Sequence, residues 1–273
     1  MRRFIFCGLF CLLIVSLSGC TKSISMKIIA HRGASYLAPE NTLASANLAW
    51  EKGADAVEID VHLSKDNRIV VIHDSNTART AGVGLMVGET ESSVLRRLDV
   101  GSWKGEEFAG ERIPFLEEII KTIPPEGRLF IEIKSGKEIL PTLRQIIASS
   151  GKASQIVIIG FGLETVTASK ELMPKIPTYW VKRTDKDEKT EERLPHDTKL
   201  IQTVREKGLD GLDVHYAGVT RDFMDAVKIS GQKLYIWTVD DPEEAIRLDR
   251  LGVSGITTNR PGWLREQLQN YKK

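Results

Sequence analysis

Between positions 31 and 74 the chain reads His-Arg-Gly, then Pro-Glu-Asn-Thr, then Glu-Ile-Asp, then His-Asp, so two imidazoles, a guanidinium and paired carboxylates share one short stretch. Along 56–61, Val57, Ile59 and Val61 alternate with Glu58 and Asp60. A strand of that pattern sends both acids to one face and the aliphatics to the other. The pattern returns along 129–135, where Ile131 and Ile133 oppose Glu132 and Lys134. If these strands belong to a closed sheet whose aliphatic face lies under helices, Glu58, Asp60 and Glu132 all point inward, where an unpaired carboxylate is costly. They need a cation. Three oxygen donors with few nitrogen or sulfur partners suit one hard divalent ion, Mg²⁺ or Ca²⁺, better than zinc.

The elements that must position these groups alternate regularly. Strand-like runs occupy 28–31, 56–61, 69–73, 129–133, 156–160, 178–181, 211–214, 234–239 and 255–258. Helical patterns occupy 42–52, 115–122, 139–149, 164–172, 199–207, 221–229, 242–251 and 262–271, which predicts an α/β fold, a (β/α)₈ TIM barrel. One strand is surplus. Only 64–68 separates the second run from the third, too little for a crossover helix, so those two form a hairpin that carries His73 above the acids. The excursion at 75–113 follows as a small inserted cap over the carboxyl-end face, with a short helix at 92–98 and exposed Trp103 and Phe108. Asn41 and Asp241-Pro242 read as helix starts, and Gly53, Gly208 and Gly252 as stops. The charged run 184–198 reads as a solvated loop without chemistry.

Of 273 residues, 41% are hydrophobic and 27% charged, ordinary for a soluble globular domain, and the net charge of +1 gives no nucleic-acid footprint. Arg2 and Arg3 precede an apolar run over 4–17 that is short for a membrane span and closes on Leu17-Ser18-Gly19-Cys20. This ending resembles the lipobox of bacterial lipoproteins. It implies a signal peptide at 1–20, lipidation of Cys20, a tether at 21–26 and a barrel domain at 27–273. Thr21, rather than Asp, after the cysteine implies sorting to the periplasmic side of the outer membrane where one exists. Cys7, Cys11 and Cys20 all fall in or at the end of the leader, so the mature chain forms no internal disulfide and offers no thiol nucleophile.

The order His31-Arg32-Gly33, Pro39-Glu40-Asn41-Thr42, Glu58-Ile59-Asp60, His73-Asp74 and Glu132-Ile133-Lys134 resembles the glycerophosphodiester phosphodiesterase family. The likeness continues through Arg112-Ile113-Pro114, Trp237-Thr238-Val239 and Gly255-Ile256-Thr257-Thr258. The resemblance implies hydrolysis of glycerophosphodiesters to an alcohol and glycerol 3-phosphate with a divalent metal. It implies Glu58, Asp60 and Glu132 as metal ligands, His31 and His73 as the acid/base pair, and Arg32 and Lys134 as phosphate contacts. Asn259 stands where many members have Asp, which puts in doubt a supporting hydrogen bond beside the closing strand.

Such chemistry needs these residue types. A phosphodiester is an anion with a poor alkoxide leaving group, so its oxygens must be neutralised, a nucleophile deprotonated and the departing oxygen protonated. The residues themselves allow either histidine to be the base; the resemblance draws His31 in that role. The nucleophile is the substrate's own 2-hydroxyl or a water. Phe161 and Trp237 are candidate substrate-side walls, with Tyr216 nearby, and Asp74 a candidate orienter of His73. His62, His196 and His215 read as structural. Two other readings are phospholipase D-like hydrolysis of lysophospholipids on the same site and a non-catalytic envelope-binding lipoprotein.

Overall fold

The computed structural model describes residues 26–271, so the leader and the proposed lipidation site at Cys20 lie outside the described residues. The chain begins with β1 (Lys27–His31), α1 (Leu43–Glu51), β2 (Ala56–Leu63) and β3 (Ile69–Val71), followed by two single-turn helices, α2 (Ala78–Ala81) and α3 (Ser92–Leu95). It continues through α4 (Leu116–Thr122), β4 (Arg128–Ile133), α5 (Leu140–Ser149), β5 (Ile156–Gly160), α6 (Leu163–Leu172), β6 (Thr178–Lys182) and α7 (Lys199–Glu206). The last elements are β7 (Gly211–His215), α8 (Arg221–Ser230), β8 (Lys233–Trp237), α9 (Pro242–Leu251), β9 (Gly255–Thr258) and α10 (Pro261–Tyr271).

Eight strands, all but β3, pair in parallel, and the β1–β2 and β1–β9 ladders close them into the barrel that the alternation predicts. The surplus strand is β3, antiparallel to β2 with Val61 opposite Val71, and it stays outside the ring. Period two decides which side chains go where. Val57, Ile59, Val61, Leu129, Ile131 and Ile133 pack outward beneath helices, whereas Ile29, Phe130, Val157, Ile159, Tyr179 and Tyr235 fill the barrel's interior. That interior plug makes the barrel a packed core rather than a pore, and the acids lie towards its carboxyl end.

The insertion after β3 has its own apolar nucleus, in which Val87, Leu95, Val100 and Ile113 pack against Val70 and Ile72. It flanks the barrel mouth. Lys104 donates from Nζ to the Ser35 carbonyl at 2.8 Å, and Arg79 grips Glu40 at 2.7 and 2.8 Å. Trp103 is exposed as expected, but Phe108 is half-buried. Among the described residues no helix is long and apolar enough to cross a membrane.

Two local expectations need correction. The cap of α1 is Thr42, not Asn41: Thr42 is extended and accepts from the Ser45 amide while Ser45 answers with its hydroxyl, a reciprocal arrangement worth about 1 kcal/mol. Asn41 instead takes a left-handed backbone, φ +59°, which aims its side chain at β2. The 184–198 loop is not wholly solvated either. Thr184 and His196 are buried against Gly218, and His196 bonds the His215 carbonyl at 2.9 Å.

Candidate active site

The parallel register brings the acids of neighbouring strands together. Glu132 on β4 lies beside Asp60 on β2, and Glu58 lies beside His31 on β1. All three carboxylates are buried, with ligand oxygens within 4.8 Å of one another. At that spacing each pair of charges repels by about 3–4 kcal/mol for an effective dielectric of about 20. Burial first, then Asp60 and Glu132, pushes the Glu58 carboxyl well above the usual carboxylate range, and burial and Asp60 raise Glu132. Burial acts the same way on Asp60, yet Lys134 and Arg32 outweigh it and hold that carboxyl low. Glu58 accepts from the Arg32 amide through Oε2 at 2.9 Å, while its buried Oε1 has no partner among the described residues. An orphaned, buried, repelled carboxylate oxygen facing two others fits a hard divalent cation.

Their neighbours keep these acids in place. Asn41 donates to Asp60 Oδ2 at 2.9 Å and accepts from the Asp60 amide at 3.0 Å, a role its place in the sequence did not reveal. Arg32 has φ +56°, a strained conformation that presents its amide to Glu58. Gly33 follows at φ +80°, and a Cβ there would lie within 2.7 Å of Ser45, so the third residue of His-Arg-Gly is set by space as well as backbone. The Arg32 side chain pairs with Glu40 at 2.9 Å and Asp60 at 3.3 Å. Lys134 pairs with Glu132 at 2.8 Å and Asp60 at 3.3 Å.

Both histidines line the same cavity as Glu58 and Glu132, a space of about 340 Å³. His31 Nδ1 lies 2.7 Å from Asn259 Oδ1. The orientation of that amide is fixed, because its Nδ2 donates to Asp240 at 2.6 Å and Ser35 donates to its Oδ1 at 3.0 Å. An oxygen can only accept, so His31 carries its proton on Nδ1 and keeps the Nε2 lone pair for chemistry. The supporting hydrogen bond that Asn259 put in doubt is therefore present, made by an amide backed by Asp240. Burial, then the charge of Arg32, lowers the His31 pKa below its ordinary 6.5.

His73 makes the complementary arrangement. Its Nδ1 donates to Asp74 at 2.6 Å, and Asp74 accepts from Arg79 at 2.7 Å. Burial opposes ionisation of Asp74, but the bonds from Arg79 and His73 hold its carboxyl down at about 2, so a carboxylate counter-ion sits beside this imidazole. His62, an expected bystander, bonds the His73 carbonyl at 3.1 Å and braces the hairpin. His215 stacks on Tyr216 and meets the edge of Trp237.

Phe161 and Trp237 do wall the cavity, edge to face at 5.7 Å. Tyr216 is not among the lining residues. Arg183 and Asp213 line it as well; Asp213 alternates with Leu212 and Val214, a period-two signal that sends it inward, whereas nothing local marks Arg183. Asp213 is buried with Oδ1 unpartnered among the described residues, and burial, aided by Glu132, pushes its carboxyl up to about 8. The arrangement as a whole can hold a cation, neutralise an anionic oxygen and move protons at two imidazoles.

Comparison with known proteins agrees with this geometry. The chain is 33% identical over 242 residues to a glycerophosphodiester phosphodiesterase of Caldanaerobacter subterraneus, covering 86% of this chain and 94% of that protein. It is 25% identical over 268 residues to one of Bacillus subtilis, covering 89% and 86%. Among solved structures it superposes on an Oleispira antarctica phosphodiesterase in complex with the product sn-glycerol-3-phosphate, with TM-score 0.80, 27% identity and coverage of 91% and 98%. The profile of the glycerophosphoryl diester phosphodiesterase family matches residues 31–263, and the chain belongs to that family.

Proposed function

We propose that this enzyme hydrolyses glycerophosphodiesters to an alcohol and glycerol 3-phosphate by two-histidine acid/base catalysis. The observation that carries the reading is the cavity that His31 and His73 share with Glu58 and Glu132, which with Asp60 form one carboxylate cluster. A divalent cation, Mg²⁺ or Ca²⁺, held by those three acids would supply Lewis-acid neutralisation of phosphate oxygens. Arg32 and Lys134, both lining the cavity, add fixed positive charge beside the phosphate. His31, with Nε2 free, takes the proton of the nucleophile, either a substrate hydroxyl or water. His73, with Asp74 as counter-charge, delivers a proton to the departing alkoxide. Release of glycerol 3-phosphate from glycerophosphodiesters by the purified chain, lost on chelation, tests this reading; chelator-insensitive or absent turnover would refute it.

A pH consequence follows from His31. The base works only when neutral, and its pKa is lowered, so activity persists as the pH falls past 6.5 and fails only once His31 protonates. The acid limb of kcat/KM is expected below 6.5. A limb above that value would contradict the assignment of His31 as base.

The leader supports export as a lipoprotein anchored through Cys20, facing the periplasm from the outer membrane where one exists. Lipidation is expected to keep activity in the membrane fraction, and Cys20→Ala to move it to the soluble fraction or leave an uncleaved precursor. Unaltered processing and membrane association in that variant would remove the anchor from the account.

A further inference from the structure

Arg183 is the first residue beyond β6, exposed at the rim of the catalytic cavity. Its guanidinium carbon lies 5.0 Å from the centroid of Phe161 and 5.8 Å from that of Trp237. Phe161 already carries a second cation, since Lys134 Nζ is 5.9 Å from the same ring. Among the described residues no carboxylate or carbonyl engages Arg183, whereas Arg32, Arg79, Arg96, Arg247 and Arg265 all pair with acids. A planar fork of donors is thus held over the cavity by two aromatic rings and left unspent.

Two cations beside these rings bear on which alcohol the rim would accept. Exposed aromatic faces attract a quaternary ammonium group, but here guanidinium and ammonium groups already lie beside those faces. An incoming trimethylammonium would have to displace a like charge, whereas hydroxyl, carboxylate or phosphate oxygens would find waiting donors. With the phosphorus held among His31, His73, Arg32 and Lys134, an arm of the diester leaving the cavity at this rim would pass beside Arg183. We propose that Arg183 selects the alcohol, favouring polyhydroxyl or anionic headgroups over quaternary ammonium ones. The inference rests on the diester-hydrolase reading and adds its substrate class.

The test compares kcat/KM for glycerophosphoglycerol, glycerophosphoinositol and glycerophosphocholine in the metal-supplemented enzyme. The native chain is expected to favour the two polyols by at least about tenfold, Arg183→Met to shrink that ratio to within about threefold chiefly through KM, and Arg183→Glu to favour choline. Because Arg183 is an exposed rim residue, both variants are expected to fold. A native preference for choline, or a ratio unmoved in both variants while turnover persists, would overturn the role of Arg183 and leave diester hydrolysis standing. Absence of turnover on all three substrates would overturn both.

Discussion

Glu58→Gln is expected to slow glycerol 3-phosphate release by about a thousandfold, equivalent to about 4 kcal/mol of barrier, while leaving the metal-free protein as stable as the native chain or more so. The two effects share one cause. Glu58 is buried among like charges with one oxygen unpartnered, so a neutral amide relieves repulsion and still accepts from the Arg32 amide. The native chain, by contrast, should gain stability from a cation that binds only the folded site. At a hundred times the dissociation constant that gain is about 2.7 kcal/mol, or roughly 5–10 °C in Tm for a domain of this size. Thermal unfolding with and without Mg²⁺ or Ca²⁺ reads both. A variant that keeps the full cation-induced shift would show that Glu58 holds no ion.

The second large effect separates the histidines. His31→Ala and His73→Ala are each expected to cost about 10²–10⁴-fold with an alkyl alcohol as leaving group. With p-nitrophenol as leaving group, which departs without protonation, the His73→Ala deficit should shrink to about tenfold or less while that of His31→Ala remains. The hydrogen bonds set this asymmetry, since His31 Nδ1 donates to a neutral amide and His73 Nδ1 to a carboxylate. The reverse pattern across the two leaving groups would exchange the roles.

The parts of this site legible in the sequence were those written in a local period. Alternation placed Glu58, Asp60 and Glu132 inside the barrel, and the short link before β3 identified the hairpin that brings His73 to them. What stayed hidden arises from closure. Asn259, singled out only by the resemblance, meets His31 across the β1–β9 seam, more than two hundred residues apart in sequence, and Arg183 joins the cavity from the end of β6, whereas Asp213 alternates with Leu212 and Val214 and so carried the same inward signal as the three acids. No local pattern marks Arg183.

Asn41 shows a different limit. Asparagine and threonine are both good helix caps, and adjacent they cannot be told apart without knowing that Asn41 adopts φ +59° and is occupied by Asp60. The insertion was likewise legible as a long excursion after His73, yet its place beside the mouth, rather than across the cavity, depends on the Arg79–Glu40 and Lys104–Ser35 contacts. Those bonds also link Asp74, and through it His73, to the loop that carries Arg32.

The most direct measurement is anomalous diffraction from crystals of the purified chain grown with Ca²⁺ or Mn²⁺. One dominant peak is expected, bounded by Glu58, Asp60 and Glu132, with His31 and His73 flanking the adjoining cavity. A fully active enzyme whose only bound ion lies away from those three carboxylates would contradict it.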